Sequence, residues 1–279
     1  MPRFKAAICQ FPVSASIERN DGFIKRFTLE AAEAQADVVQ FPECALSGYA
    51  GSHFKSWERF SWELLLAKTG EIMQLAKDTG IWIILGSSHR LSGGHLPHNS
   101  LYVIDRRGRI KTRYDKSFCT PRDLNHFSPG TDRPVFSINR VRCGMAICHD
   151  LRYLELYRDY RRRGANCVFN SFLNAGGNKR TVNSVIVIPT MQTQAACNHQ
   201  WMCVSNSSAR NQAWKSSFIN PDGTLGQVAV KNRAGLIFGD VDTDAGFLDK
   251  CSFRKEAMRG KLHSGKAVRD PRSDDRTTL

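Results

Sequence analysis

Short apolar runs alternating with amphipathic stretches are what most restrict the folds open to this chain. Ala6 to Phe11 has the composition of a strand, Glu18 to Gln35 the periodicity of a helix, and Ala36 to Phe41 reads as a second strand. A further β-α-β step follows: Trp62 to Lys77 carries Leu65, Ile72, Leu75 and Ala76 near helical spacing, and Ile81 to Gly86 reads as a buried strand. The pattern then turns to hairpins. Asn99 to Asp105 and Arg109 to Tyr114 flank Arg106-Arg107-Gly108, and Val135 to Ile138 pairs with Arg142 to Cys148. Asp150 opens a segment with Leu151, Leu154, Tyr157 and Tyr160 at a spacing suited to a helix. Strands are predicted at Ala165 to Phe172, Trp201 to Ser207, Ser216 to Asn220 and Leu236 to Val241. A turn falls at Pro221-Asp222-Gly223, and a helix from Val182 to Asn198 is expected to break or kink at Pro189.

Mixed β-α-β units and hairpins predict an α/β protein built as a four-layer α-β-β-α sandwich, two packed sheets with helices outside. A doubly wound nucleotide fold is disfavoured, because neither G-x-G-x-x-G at the first strand-to-helix turn nor G-x-x-x-x-G-K-[ST] is present. The 279 residues fit one large domain over residues 1–253, followed by a polar, basic tail over 254–279. No apolar run approaches the roughly 20 residues that span a bilayer, and the start lacks a signal-peptide pattern, so a cytoplasmic protein without membrane contact is expected. Nine cysteines without a C-x-x-C spacing fit free thiols better than a disulfide framework. The net charge of +14 raises the possibility of a nucleic-acid partner. Its clusters, Arg106 to Lys111 and Arg158 to Arg163, are not interleaved with aromatics as a binding module would be, so solvated faces and attraction of small anions explain them better.

Three residues stand where chemistry can be done. Cys148 lies at a strand-to-helix turn, where unpaired backbone N–H groups are expected to acidify a thiol; it is either a nucleophile or a structural cysteine. Glu43 follows Pro42 at the carboxyl end of an apolar strand, as a general base or as a cap or salt-bridge partner. Lys116 ends the second hairpin arm, as a surface charge or a cation that stabilises an oxyanion. A local Cys148-His149-Asp150 triad is rejected, since three consecutive side chains diverge. A phosphatase loop would need an arginine where Leu154 stands, and His95 and His98 have no matching ligand pair, so no metal is required.

Taken together, Phe41-Pro42-Glu43 with Ser47-Gly48-Tyr49, then Tyr114-Asp115-Lys116, then Ile147-Cys148-His149-Asp150-Leu151-Arg152-Tyr153 with Glu155-Leu156-Tyr157-Arg158 resemble the nitrilase superfamily of carbon–nitrogen hydrolases. Asn99-Ser100 before Val103-Ile104-Asp105 and Phe127-Ser128-Pro129-Gly130 agree with it, and the resemblance covers roughly residues 4 to 245. It implies the α-β-β-α sandwich, a Glu43-Lys116-Cys148 triad, no cofactor, and pairing of chains into a homodimer or higher homo-oligomer. The chain departs from the family pattern at Phe118, where a histidine is common, at Leu154, where a proline is common, and at Asp123, which replaces a supporting glutamate one methylene longer. The expected reaction is hydrolysis of a small amide or N-carbamoyl compound through a Cys148 thioester. The His149 backbone N–H would assist at the oxyanion, with Arg152 and Asn174 as pocket residues and Arg152 facing a substrate carboxylate or pairing with Glu155. Nitrile hydrolysis by the same triad, a non-catalytic protein on this fold, and a basic nucleic-acid binder are the alternatives.

Overall fold

The computed structural model describes residues 2–174, 181–210, 212–274 and 276–277. Its first sheet is assembled from β1 (Arg3–Gln10), β2 (Val38–Gln40), β3 (Trp82–His89), β4 (His98–Ile104) and β5 (Ile110–Asp115), with α1 (Ile17–Glu33) and α2 (Trp62–Thr79) in the connections. The second contains β6 (Phe136–Ile138), β7 (Val141–Ile147), β8 (Cys167–Ser171), β9 (Trp201–Ser205), β10 (Ser217–Ile219) and β11 (Leu225–Val228), with α3 (Leu154–Arg162) and α4 (Val182–Asn198) between strands. β12 (Gly235–Asp242) then returns to the first sheet and pairs antiparallel with β1, Arg3 opposite Asp242. The strand orders are β12-β1-β2-β3-β4-β5 and β11-β10-β9-β8-β7-β6. Each sheet has three parallel strands at its centre, β1-β2-β3 and β7-β8-β9, and antiparallel neighbours at its margins.

Three apolar layers make this the expected four-layer sandwich. Phe4, Ile8, Val103 and Tyr114 of the first sheet pack against Met145, Phe169 and Trp201 of the second. Ile24, Phe27 and Ile72 of α1 and α2 cover the other face of the first sheet, and Tyr157, Tyr160 and Met191 of α3 and α4 cover the second. Central strands are therefore buried on both faces, which is why they read as continuous apolar runs rather than alternating ones. Gly144 allows the close approach of α3: a Cβ there would stand 2.6 Å from the Tyr160 ring.

Three local readings of the sequence are corrected. The segment from Asp150 is not one helix: a 3₁₀ turn over Cys148–Arg152 ends at the extended Tyr153, and α3 begins at Leu154, whose side chain is 57% exposed. The reason is that the Asp150 carboxylate accepts the Ile147 N–H and organises the turn instead of an α-helical start. Pro189 does not break α4. The N–H that it lacks would have bonded the carbonyl of Val185, a residue on the exposed side where water can take its place. β11 went unpredicted because all four of its residues are exposed and carry no alternation. Beyond β12, α5 (Arg254–Met258) is tied down by Arg254, which pairs with Asp249 and donates from Nε to the Cys197 carbonyl at 2.7 Å. The chain then runs exposed to α6 (Pro271–Asp274). All nine cysteines are free thiols, and among the described residues no helix is long and apolar enough to cross a membrane.

Candidate active site

Glu43, Lys116 and Cys148 come from three separate strand ends; Lys116 and Cys148 border one cavity, and Glu43 lies buried behind it, bonded to Lys116 Nζ. Glu43 lies just past β2, in a turn that crosses over β3 at Gly86, where a Cβ would fall 2.0 Å from the Pro42 carbonyl oxygen. Lys116 is the residue after β5, and Cys148 the residue after β7. Cys148 holds φ at +48°, and Cys44, next to Glu43, holds +50°. Left-handed backbone costs a non-glycine residue roughly 1–2 kcal/mol, so both turns carry strain that the surrounding bonds must offset.

Those bonds are present. Glu43 is fully buried; its Oε1 accepts from Lys116 Nζ at 3.0 Å and Asn99 Nδ2 at 2.7 Å, and its Oε2 accepts from the Leu173 N–H at 2.8 Å. Lys116 Nζ also donates to Asp123 Oδ2 at 2.8 Å, and Tyr49 Oη donates to Asp123 Oδ1. The shorter Asp123 side chain thus reaches the lysine. A 3₁₀ turn over Asp123–Asn125 brings its backbone close, and the Thr120 N–H fixes Oδ2 at 3.0 Å. Asp150 points away from Cys148: its carboxylate accepts from Tyr114 Oη and from the N–H groups of Ile147 and Phe118, each at 2.8 Å. It therefore staples the cysteine turn to the lysine loop and takes no part in a local triad. Phe118, where a histidine is common, lies flat on Tyr153 with ring centroids 3.5 Å apart.

The electrostatics follow from burial and these partners. Burial pushes the Glu43 carboxyl up, against the opposing pull of Lys116 and with the Asp123 charge adding to the rise. Burial likewise opposes ionisation of Asp123, but Lys116, Tyr49 and the Thr120 N–H outweigh it and hold that carboxyl below its usual range. Lys116 keeps its proton, because Glu43, Tyr49, Cys148 and Asp123 outweigh the cost of burying its charge. The Cys148 thiol is raised by burial first and by the Glu43 charge second, which corrects the expected acidification by the turn. A single 3₁₀ turn offers little dipole, and two carboxylates face the sulfur with only one lysine between them. Cys148 rests as a neutral thiol, which would need a base before it could act as a nucleophile. Burial pushes Asp150 up to about 6 and lowers His149, which stays neutral near pH 7.

The cavity above the thiol has a volume of about 260 Å³ and is bordered by Tyr49, Lys116, Asp123, Cys148, His149, Arg152, Leu173, Asn174 and Trp214. Arg152 donates to Asn183 Oδ1 across the mouth of the cavity and makes no ion pair with Glu155. The Asn174 N–H donates to Gln212 Oε1 at 2.8 Å. Among the described residues no group of three or more His, Cys, Asp or Glu is placed to hold a metal ion.

This arrangement agrees with comparison to known proteins: the carbon–nitrogen hydrolase profile matches residues 5–246. The chain belongs to the carbon–nitrogen hydrolase family. It is similar to the omega-amidase NIT2 of Homo sapiens, 26% identical over 258 residues (87% of this chain, 90% of the relative). It is also similar to the omega-amidase NIT2 of Xenopus tropicalis, 29% identical over 262 residues (88% and 90%). Among solved structures, the amidase from Nesterenkonia sp. superposes with a TM-score of 0.78 at 22% identity, covering 93% of this chain and 96% of that one. A mutant of the Nesterenkonia sp. AN1 amidase, bearing the acetamide moiety of fluoroacetamide covalently added at its active-site cysteine, gives 0.76 at 20%, covering 93% and 97%. Those solved structures share the two-sheet sandwich of this chain.

The sequence reading assigned no role to Asn99 or Asp150. Asn99 stands just before the apolar run Leu101 to Ile104 and Asp150 just after the run Met145 to Ile147, and those placements were the available signal. Asn99 donates to Glu43 and also receives the Lys116 N–H at its carbonyl, 2.8 Å away. With Asn99→Ala, Glu43 loses a donor to its ionised form, so the acid limb of the kcat/KM profile is expected to move to higher pH. An unmoved limb in a pH–rate titration would sever Asn99 from Glu43.

Proposed function

We propose that this hydrolase cleaves the carbon–nitrogen bond of a small amide or N-carbamoyl compound bearing a carboxylate, with Cys148 as nucleophile, Glu43 as acid and base, and Lys116 as electrostatic stabiliser. The observation that carries the reading is the placement of Lys116 and Cys148 at one cavity with Glu43 bonded to Lys116 Nζ behind it, held by three donors and still able to accept another proton. Glu43 takes the thiol proton as sulfur attacks the carbonyl carbon. The oxyanion is stabilised by Lys116 Nζ and the His149 N–H, which has no acceptor among the described residues. Glu43 then protonates the departing nitrogen, ammonia or an amine leaves, and a thioester remains. Water gives its proton to Glu43, attacks the thioester and releases the acid, so the same carboxylate serves both half-reactions. Asp123 holds Lys116 in place and keeps it charged. The amidase and omega-amidase names of the relatives favour amides over nitriles.

Arg152 supports a carboxylate on the substrate: its guanidinium borders the cavity and has only the neutral Asn183 as a partner among the described residues. The test is ammonia release from a panel of ω-amides, N-carbamoyl amino acids, neutral aliphatic amides and nitriles, with wild type and Arg152→Ala. KM for carboxylated amides is expected to rise about tenfold or more in the variant while neutral amides are unaffected. Equal KM changes for both kinds would remove Arg152 from recognition, and no turnover of any substrate would overturn the reading.

The same reading takes residues 1–253 as the catalytic unit with 254–279 as an added arm, in a cytoplasmic protein that self-associates. Exposed Leu154, Val182 and Val185, at the starts of α3 and α4, support a second copy as the covering partner. A monomeric mass in sedimentation equilibrium would exclude it.

A further inference from the structure

A second cavity, of about 460 Å³, lies between α2 and the strands β3, β4 and β5, and it shares no lining residue with the catalytic one. Its body is apolar, formed by Trp62, Leu65, Leu66 and Met73 of α2 and Ile110 of β5. Its other end is polar and built from His89, Tyr102 and Arg113. Leu66 is 74% exposed at the rim, so the apolar wall faces open space instead of protein.

The hydrogen bonds at the polar end leave one proton unused. Arg113 Nη1 lies 2.9 Å from His89 Nε2, and His89 Nδ1 lies 2.7 Å from Tyr102 Oη. A guanidinium only donates, so Nε2 must be the bare, accepting nitrogen. The neutral imidazole then carries its hydrogen on Nδ1 and donates it to Tyr102 Oη. Tyr102 is only 9% exposed, and its own hydroxyl hydrogen has no acceptor among the described residues. A buried donor of this kind calls for an oxygen acceptor.

The charges around it select the kind of acceptor. Arg113 is held by Asp115, Nε to Oδ1 at 2.7 Å and Nη2 to Oδ2 at 2.9 Å, so its orientation is fixed while its outer N–H edge remains. Arg90 lies over the Trp62 ring at 5.6 Å and has no carboxylate partner among the described residues. Asp115 offsets the Arg113 charge, so the charges at the cavity itself are Arg90 and one lining carboxylate, Glu63, while the remaining Arg113 N–H groups add donors. We propose that this cavity is a binding site for a small amphipathic carboxylate, whose oxygen accepts from Tyr102 Oη while its aromatic or branched apolar body lies against Trp62, Leu66, Met73 and Ile110. Arg90 supplies the complementary charge, the remaining Arg113 N–H groups supply further donors, and the apolar wall separates such an acid from small hydrophilic anions.

The experiment is calorimetric titration of the full chain with 3-phenylpropionate, and with acetate as the anion lacking an apolar body. One 3-phenylpropionate per chain is expected, with no detectable acetate. Tyr102→Phe keeps the ring and removes the donor, and Leu66→Asp changes an exposed residue, so both should fold. Each is expected to weaken binding at least about tenfold, the loss of one good contact. Arg152→Ala, in the catalytic cavity, is expected to bind as wild type does. The proposal is overturned by no binding at millimolar 3-phenylpropionate, by equal binding of acetate, by unchanged affinity in either cavity variant, or by loss in Arg152→Ala, which would place the acid in the catalytic cavity.

Discussion

Cys148→Ala is expected to lower ammonia release by about 10⁴-fold or more, and Glu43→Gln by about 10³–10⁴-fold, yet the two variants should differ in the behaviour of the thiol. Because burial and the Glu43 charge keep Cys148 protonated, its attack requires a base within reach, and the amide of the Glu43→Gln variant cannot accept the proton. Removing that negative charge also removes one cause of the raised thiol pKa, while Lys116 remains beside the sulfur. Glu43→Gln should therefore retain Cys148 alkylation by iodoacetamide, with the onset of alkylation moved to lower pH. Its turnover should stay low at every pH. The wild-type rate should fall as pH drops through the Glu43 pKa, which burial sets above the ordinary carboxylate range, and this limb should vanish in the variant. Alkylation kinetics and a pH–rate profile check both parts. A Glu43→Gln enzyme with near wild-type turnover would remove the carboxylate from proton transfer.

Much of this site is legible in the sequence, and the physical reasons are specific. Each of Glu43, Lys116 and Cys148 follows a strand, and strands are recognisable from apolar runs alone. A residue just beyond such a run is delivered to the edge of its sheet, so order along the chain and strand boundaries are enough to nominate it. What the residues do to one another was less legible. Backbone N–H groups at a helix terminus, considered alone, would make Cys148 acidic. The sulfur's nearest charges include Glu43 and Asp123, which lie 105 and 25 residues away in sequence and raise its pKa. Asp123 shows the same limit from the other side. Its side chain is one methylene shorter than the glutamate it replaces, and the 3₁₀ turn that carries its backbone inward has no strong sequence signal.

Asp150 and Leu154 show how tertiary bonds override periodicity. Leu151, Leu154, Tyr157 and Tyr160 share a helical spacing, yet Leu154 faces solvent and the helix begins there. The buried Asp150 carboxylate accepts three donors from two segments, a demand that an α-helical start at that residue would not meet. That carboxylate ties the residue before Cys148 to the loop after Lys116, so the residue excluded from a triad helps to set where the thiol stands.

Lys116→Met should destabilise the fold by about 3–5 kcal/mol at neutral pH, besides abolishing turnover, because it strands two buried carboxylates without their cation. Glu43 and Asp123 both bond Nζ, and all three side chains are buried. In wild type the folded-state pKa of Asp123 is depressed, so its contribution is present above the unfolded value and is lost as pH falls through the folded one. Without the lysine, the folded pKa values of both carboxyls lie above their unfolded values. The variant then has its full stability at low pH and loses it as pH rises. Glu43, raised by burial, already runs this way in wild type, so losing the lysine changes its trend in degree and that of Asp123 in sign; the deficit should be widest near neutrality and shrink toward about pH 4. Urea denaturation at a series of pH values measures it directly. Adding Glu43→Gln and Asp123→Asn to Lys116→Met should recover most of the neutral-pH loss, since the stranded charges are then gone. A deficit independent of pH, or one that the neutral triple variant leaves in place, would mean that the loss lies in how the new side chains pack and not in the stranded charges.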